Sequence, residues 1–301
     1  MLVVTGFILC SSTLLIVNKL CVEFLKATTE VLLFQCIASS IVSFFLTEPN
    51  LNNFKRFFVV SFAFMLTLFS NLKILENANV ETFIIFRNST PIVISVLDWM
   101  FLNRELPSLR SFVSILGMFL SSVGYSLTDS NFNVKAYIWV FVWYIIFCFD
   151  QIYIKHIVDS VETKNNWERV LYMNTWASLF LVMYLLLDVL ALSGKRHRYL
   201  HTIHSQTTTI NMVTLSVSIV LGIAMSYFSL ACRKHLSATS FTIVGNVCKF
   251  LTVIINILIW DKHASFEGCI FLVICMTCAM IYKQAPLRVK ESTETVQIIT
   301  N

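Results

Sequence analysis

Charge is scarce in this 301-residue chain, at 13% of residues against 57% hydrophobic. A soluble domain carries nearer 25% charged residues, so the deficit excludes an ordinary water-soluble fold. Glycine (7) and proline (4) are scarcer still, which excludes collagen-like and low-complexity disordered chains. The signatures of common enzymes are missing too. There is no G-x-S-x-G elbow, no H-E-x-x-H, no P-loop and no Rossmann glycine set. Lys and Arg are dispersed instead of gathered on one soluble face, so nucleic acid binding has no support. The nine cysteines are odd in number and mostly sit in apolar runs. The single C-x-x-C, Cys275 and Cys278, has no neighbouring His or acid, so it reads as small packing residues and not as a zinc or redox site. His197, His201 and His204 have metal-like spacing but lie in a basic loop without carboxylate or thiol partners, so neither a metal nor a cofactor is expected.

What the chain does have is apolar length. Mean hydropathy is +0.76, and phenylalanine occurs 26 times. A bilayer core takes about 20 apolar residues per helix. Ten segments qualify: Leu2–Asn18, Thr29–Leu46, Phe57–Ile74, Val80–Leu102, Pro107–Leu127, Ala136–Ile157, Val170–Leu192, Met212–Ala231, Ser237–Trp260 and Ser265–Tyr282. The expectation is an all-α polytopic membrane protein. Met1 leads into LVVTGFILC with no basic residue before Lys19, so the first segment reads as a retained helix and not a cleaved signal. Counted over loops, twelve Lys and Arg fall on the side that holds both termini and eight on the other, which places the termini in the cytosol. The longest loop, 193–211, holds Lys195, Arg196 and Arg198. The polar tail 284–301 reads as disordered and cytosolic.

Ten spans invite a search for an internal repeat. At an offset of 158 residues, Phe83–Asn88 falls on Phe241–Asn246 and Asn103-Arg104 falls on Asp261-Lys262, without a gap. Leu14–Lys19 likewise resembles Asp150–Lys155. Five spans is an odd number, so the second copy would enter from the opposite face. The expected architecture is therefore two inverted five-helix repeats, 1–130 and 131–283, as in transporters.

Charge inside the apolar spans is the functional signal. Arg87 lies within TFIIFRNSTP (82–91), and Lys249 lies within SATSFTIVGNVCKFLTVIINILIWDK (237–262). A cation at such depth costs at least about 2.5 kcal/mol, so something must offset it. Pairing with an intramembrane acid (Asp98, Asp150 or Asp188) is one answer, but Asp98 lies about three turns from Arg87 on the same helix. A ligand diphosphate in a hydrated cavity is the other. Arg offers it a bidentate fork and Lys a point charge. Pro91 breaks the backbone ladder of its helix, and Gly245 leaves an exposed backbone, room for close helix packing, or both. Asn88 belongs to a glycosylation sequon buried in a span, so it is assigned to the cavity. Tyr172 and Asn174, two residues apart, suit stacking on a purine and bonding to its edge.

Taken together these stretches resemble the nucleotide-sugar transporters of the drug/metabolite transporter superfamily, and most closely their GDP-sugar branch. The resemblance runs from Met1 to Tyr282. It is carried by FRNSTP (86–91), LPS (106–108), GYSLTD (124–129), QIYIKH (151–156), LYMN (171–174) and the long stretch 236–265. It implies that Leu171-Tyr172-Met173-Asn174 occupies the family's F-Y-N-N motif, associated with guanine, with Met173 replacing an Asn. Gly245-Asn246-Val247-Cys248-Lys249 would occupy G-A-L-N-K, associated with the sugar and phosphates, with Cys248 replacing an Asn. Asn246 could return one amide. The expected binding set is thus Arg87, Asn88, Tyr172, Asn174, Gly245, Asn246 and Lys249.

The implied activity is exchange of a cytosolic GDP-sugar (GDP-mannose or GDP-fucose) for lumenal GMP across the Golgi membrane by alternating access. The partners are nucleotide sugar, nucleoside monophosphate and lipid bilayer. No covalent bond changes, so no enzyme is expected, and a homodimer stays open. The substitutions at Met173 and Cys248 keep two alternatives alive: a UDP-sugar or small phosphorylated metabolite as cargo, or a non-transporting receptor or scaffold.

Overall fold

The computed structural model describes residues 2–25, 28–77, 80–127, 137–191, 209–259 and 266–288. Every regular element among them is a helix: α1 (Leu2–Leu25), α2 (Thr28–Leu46), α3 (Leu51–Arg56), α4 (Phe58–Asn77), α5 (Val80–Phe101), α6 (Leu109–Leu127), α7 (Tyr137–Ser160), α8 (Asn166–Ala191), α9 (Thr209–His235), α10 (Ala238–Ile259) and α11 (Phe266–Ile281). Helix is what an apolar run must adopt in hydrocarbon, because every backbone group has to be satisfied within the segment. Thr29–Leu46, Ile138–Ser160, Asn166–Leu187 and Asn211–His235 are each long and apolar enough to cross a membrane. The chain is a multi-pass membrane protein built from helices. The loop carrying Lys195, Arg196, Arg198 and the three histidines lies outside the described residues, as does the tail beyond Arg288.

Many large apolar side chains face outward while small polar ones are buried. Phe45, Leu120, Phe141, Leu186, Val220 and Met280 are exposed, whereas Ser39, Ser43, Ser61, Ser122 and Ser218 are buried between helices. Small polar residues let helices approach closely and supply interhelical bonds where lipid gives no hydrophobic drive. One such knot joins α1, α2 and α9. Gln35 Nε2 donates to Asn18 Oδ1 (2.9 Å) and Ser218 Oγ (2.6 Å), and Ser218 Oγ donates to Asn18 Oδ1 (2.7 Å).

Helix pairing follows a simple rule. α1 packs on α9 and α10, α7 on α4 and α5, α2 on α9, and α8 on α4. α2 meets α8, α5 meets α10, and α6 meets α11. Exchanging α1, α2, α4, α5, α6 with α7, α8, α9, α10, α11 carries each of these contacts onto another or onto itself.

One end of the molecule is closed by a dense set of bonds. Asp98, near the end of α5, accepts from Thr239 N (3.0 Å) and Thr239 Oγ1 (2.6 Å) in the first turn of α10. Ser237 Oγ caps the same turn by accepting from Ser240 N (3.0 Å). Acceptors and negative charge there satisfy orphan N–H groups and complement the helix dipole. Lys155 does the converse for α9, donating from Nζ to the carbonyls of Arg233 (2.7 Å) and Lys234 (3.4 Å) and pairing with Asp159 (2.7 Å). Between the α2–α3 and α7–α8 loops, Lys164 pairs with Glu48 at 2.7 Å and holds its carboxyl below the usual range. Both side chains are exposed, so the pair contributes little.

Two expectations change here. Gln284–Arg288, read as the start of a disordered tail, form an ordered strap. Glu105 N donates to Pro286 O (3.0 Å), Arg288 N to Asn103 O (2.9 Å), Arg104 Nη1 to Ala285 O (2.9 Å) and Ser237 N to Gln284 Oε1 (3.1 Å). Arg104, Lys155, Arg169 and Arg233, counted as loop cations for orientation, are all less than 9% exposed. Arg104, Lys155 and Arg169 donate to backbone carbonyls, and Arg233 donates to the side-chain amide of Gln151.

Replacing Asp98 with alanine would strand two buried donors of Thr239, each costing about 1–3 kcal/mol. Asp98→Ala should therefore lower the thermal unfolding midpoint in detergent by several degrees, while Glu105→Ala, at an exposed side chain, leaves it in place. Equal midpoints would show that the α5–α10 latch contributes nothing.

Candidate functional site

The site is built where α5 crosses α10. Pro91 lacks an N–H, so the carbonyl of Arg87, four residues earlier, loses its helical donor. Thr90 Oγ1 donates to that carbonyl at 2.6 Å, and Asn246 Nδ2 reaches it from α10 at 3.5 Å. The backbone group that Pro91 frees is thus used to join two helices. Asn246 is buried, and its Oδ1 has no hydrogen-bond partner among the described residues. Next to it, Asn88 Nδ2 donates to Ser122 Oγ and fixes α5 to α6. The two Asn residues matched by the sequence offset therefore both lie at this crossing.

Gly245 borders open space. Among the described residues a Cβ built there meets nothing within 4 Å, whereas one at Gly6 would lie 2.6 Å from the Phe228 ring and one at Gly117 2.7 Å from Cys278 Sγ. Of the two uses expected of Gly245, close helix packing is the one the structure does not show. Positions 241, 245 and 249 follow one another at i+4 along one face of α10. The side chain of Lys249 lies outside the described residues. At the other end of this column, the Arg233 guanidinium sits 3.8 Å from the centroid of the Phe241 ring.

Two cations approach the region from other helices. The half-buried Arg87 has its guanidinium 5.5 Å from the centroid of the Phe147 ring on α7. Arg233, from the last turn of α9, donates from Nη1 to Gln151 Oε1 (3.0 Å) and lies in electrostatic reach of Asp150. Asp150 also accepts from Gln151 Nε2 (3.1 Å), and Asp98 is engaged by Thr239. Arg233, Asp150 and Gln151 were missed as site residues. QIYIKH held the signal for Gln151, but Arg233 sits at a span's end and was read as a solvated loop charge.

Tyr172 and Asn174 occupy different surroundings from those expected. Tyr172 is fully buried, with its ring tilted against Phe54 (5.8 Å) and Phe57 (5.5 Å). Its hydroxyl donates to Glu168 Oε1 (2.7 Å) and accepts from Asn50 N (2.6 Å). Asn174 Nδ2 donates to Val170 O (2.9 Å), and its Oδ1 accepts from Ser226 Oγ on α9 (3.3 Å). Neither is presented to open space. The two substituted positions are buried as well. Met173 packs with Phe57 and Leu171, and Cys248 packs with Phe7, Cys232 and Phe241.

Comparison with known proteins fits this architecture. The chain is 32% identical to the GDP-fucose transporter 1 of Arabidopsis thaliana, over 94% of this chain and 84% of that protein. It is 33% identical to the GDP-mannose transporter GONST3 of the same plant, over 97% and 80%. The chain belongs to the GDP-sugar branch of the nucleotide-sugar transporters. It is accordingly not an enzyme. A more distant relative of this transporter is the UDP-sugar transporter UST74c of Drosophila melanogaster, 23% identical over 81% of this chain and 63% of that protein. A solved crystal structure superposes with a TM-score of 0.67 at 10% identity, covering 93% of this chain and 95% of the other, which speaks to the fold alone. No family model matches the chain.

The open face at Gly245 gives a clean contrast. Alanine in a helix interior is favoured over glycine by about 0.5–1 kcal/mol, but overpacking costs about 1–3 kcal/mol. Gly245→Ala should melt at or above the wild-type temperature, while Gly6→Ala and Gly117→Ala melt below it. A destabilised Gly245→Ala protein would mean that this face of α10 is packed.

Proposed function

We propose that this transporter exchanges a GDP-sugar, GDP-mannose or GDP-fucose, for GMP across the Golgi membrane by alternating access. The observation that carries the reading is the α5–α10 crossing. It sets an intramembrane arginine beside a helix face that opens at Gly245, with Phe241 and the position of Lys249 one turn to either side. Arg87, Arg233 and Lys249 supply the cations for a diphosphate. Asn246, with its unmatched Oδ1, supplies an acceptor for a sugar hydroxyl. The activities named for the two Arabidopsis relatives support the choice of guanosine diphosphate as carrier.

Ten spans arranged as two inverted five-helix repeats, 1–130 and 131–283, suit the exchange rule in helix pairing, since such a rule follows when two copies are related by a two-fold axis. The bonds at the closed end would have to break on one stroke and reform on the other. Asn88, Tyr172 and Asn174, packed as they are here, would reach cargo only in another state of that cycle, or act by holding α5 and α8 in place. Both termini are taken as cytosolic.

A UDP-sugar cargo remains the second reading, favoured by Met173 and Cys248, which both lack the amide found at those positions in the family motifs. Purified protein in liposomes decides between them. Vesicles preloaded with GMP should take up labelled GDP-mannose or GDP-fucose, vesicles preloaded with UMP or left empty should not, and Lys249→Ala should abolish uptake while retaining the wild-type melting temperature. UMP-driven uptake, or uptake independent of internal nucleotide, would refute guanine-nucleotide antiport.

A further inference from the structure

A polar cavity lies at the closed end, away from the α5–α10 crossing. It measures 1010 Å³, at the top of the range of about 300–1,000 Å³ for small-molecule sites. Its walls come from the α5–α6 loop, the α7–α8 junction, the end of α9 and the strap 284–287. Arg104, Lys155, Arg169 and Lys234 line it with four cations, against the carboxylates of Asp159 and Glu162.

The cations differ in how far they are committed. Lys155 is saturated by two carbonyls and Asp159. Arg104 spends Nη1 on Ala285 O. Arg169 is only 4% exposed, donates through Nη2 to Val158 O at 3.3 Å, and has an Nε without a hydrogen-bond partner among the described residues. Lys234 is exposed at the rim. Arg169 lies in electrostatic reach of Glu168 and Asp159, yet around the cavity four cations face only two carboxylates, and an anion is the ligand that balances them.

We infer that this cavity is a loading site for phosphate groups. In this role it would hold the phosphates of a nucleotide outside the closed α5–α10 latch before the latch opens. The inference deepens the proposed function and rests on it for the nucleotide. The anion site itself stands on the cavity and Arg169. Net positive walls also raise the local concentration of an approaching anion, an effect that salt suppresses over a Debye length of about 8 Å at physiological strength.

The test uses full-length protein in neutral-lipid nanodiscs, titrated with inorganic pyrophosphate by calorimetry. Arg169→Gln should weaken binding about tenfold, the loss of one charge-assisted bond. Lys234→Gln, at an exposed position, should weaken it about threefold, and Glu162→Gln should tighten it by a similar factor because an opposing charge is removed. Glu162 is exposed, so its replacement leaves folding intact even if Arg169→Gln does not fold. Pyrophosphate binding indifferent to both Lys234→Gln and Glu162→Gln would overturn the proposal. So would a short-chain phosphatidylinositol phosphate that displaces pyrophosphate at lower concentration than GDP does, since that assigns the cavity to a lipid headgroup. Absence of GMP-driven exchange alongside binding that obeys these variants would refute the antiport reading alone.

Discussion

A single missing N–H organises the centre of this transporter. Proline at 91 removes the donor that the Arg87 carbonyl would have had, and a bare carbonyl in hydrocarbon costs several kcal/mol. Two side chains answer it, Thr90 from within α5 and Asn246 from α10. The first is local and would suffice to keep the helix intact. The second turns a local defect into a tertiary contact between the two helices that carry the site. At 3.5 Å it is a long bond. Because Gly245 precedes Asn246, the same turn of α10 that grips α5 also opens onto empty space.

The closed end works by helix-end chemistry. α9 stops at His235 and α10 begins at Ala238, so four orphan carbonyls and four orphan N–H groups meet within a few residues. Lys155 from α7 covers the carbonyls, and Asp98 from α5 covers the amides. These caps come from two helices in different sequence halves. Lys155 and α9 both belong to the second half, so separating the halves at this end would uncap α10 but leave α9 capped. The strap adds Arg288, which stacks at 4.9 Å on Trp99 and donates to its carbonyl.

Sequence reasoning found what apolar length and chemical oddity expose. Helix positions, the odd Arg87 and Pro91, and the matched Asn88 and Asn246 were all visible because each is rare in its setting. It failed where charge sits at a helix end. Arg233, Lys155, Arg169 and Arg104 fall just where a span meets its loop, and a residue count cannot tell a solvated cation from one folded back over a carbonyl. At Tyr172 it could not separate stacking on a base from edge-on and tilted packing against Phe54 and Phe57, which have the same signature. The partner that separates them, Glu168, lies only one turn away, yet a carboxylate at a helix start looks like an ordinary dipole-complementing residue.

The substituted motif positions can be weighed on the same physical terms. An asparagine at 248 would need two donors and an acceptor satisfied beside Phe7, Cys232 and Phe241 and in electrostatic reach of Arg87, and each unmet bond would cost about 1–3 kcal/mol. Cysteine makes no such demand and fills similar space. The exchange therefore relieves packing between α1, α9 and α10 without altering the face at Gly245, which lies next to it but borders the void. Met173 behaves alike within the Phe57 cluster. Both substituted residues lie among side chains that hold helices together, and Cys248 also lies in electrostatic reach of Arg87.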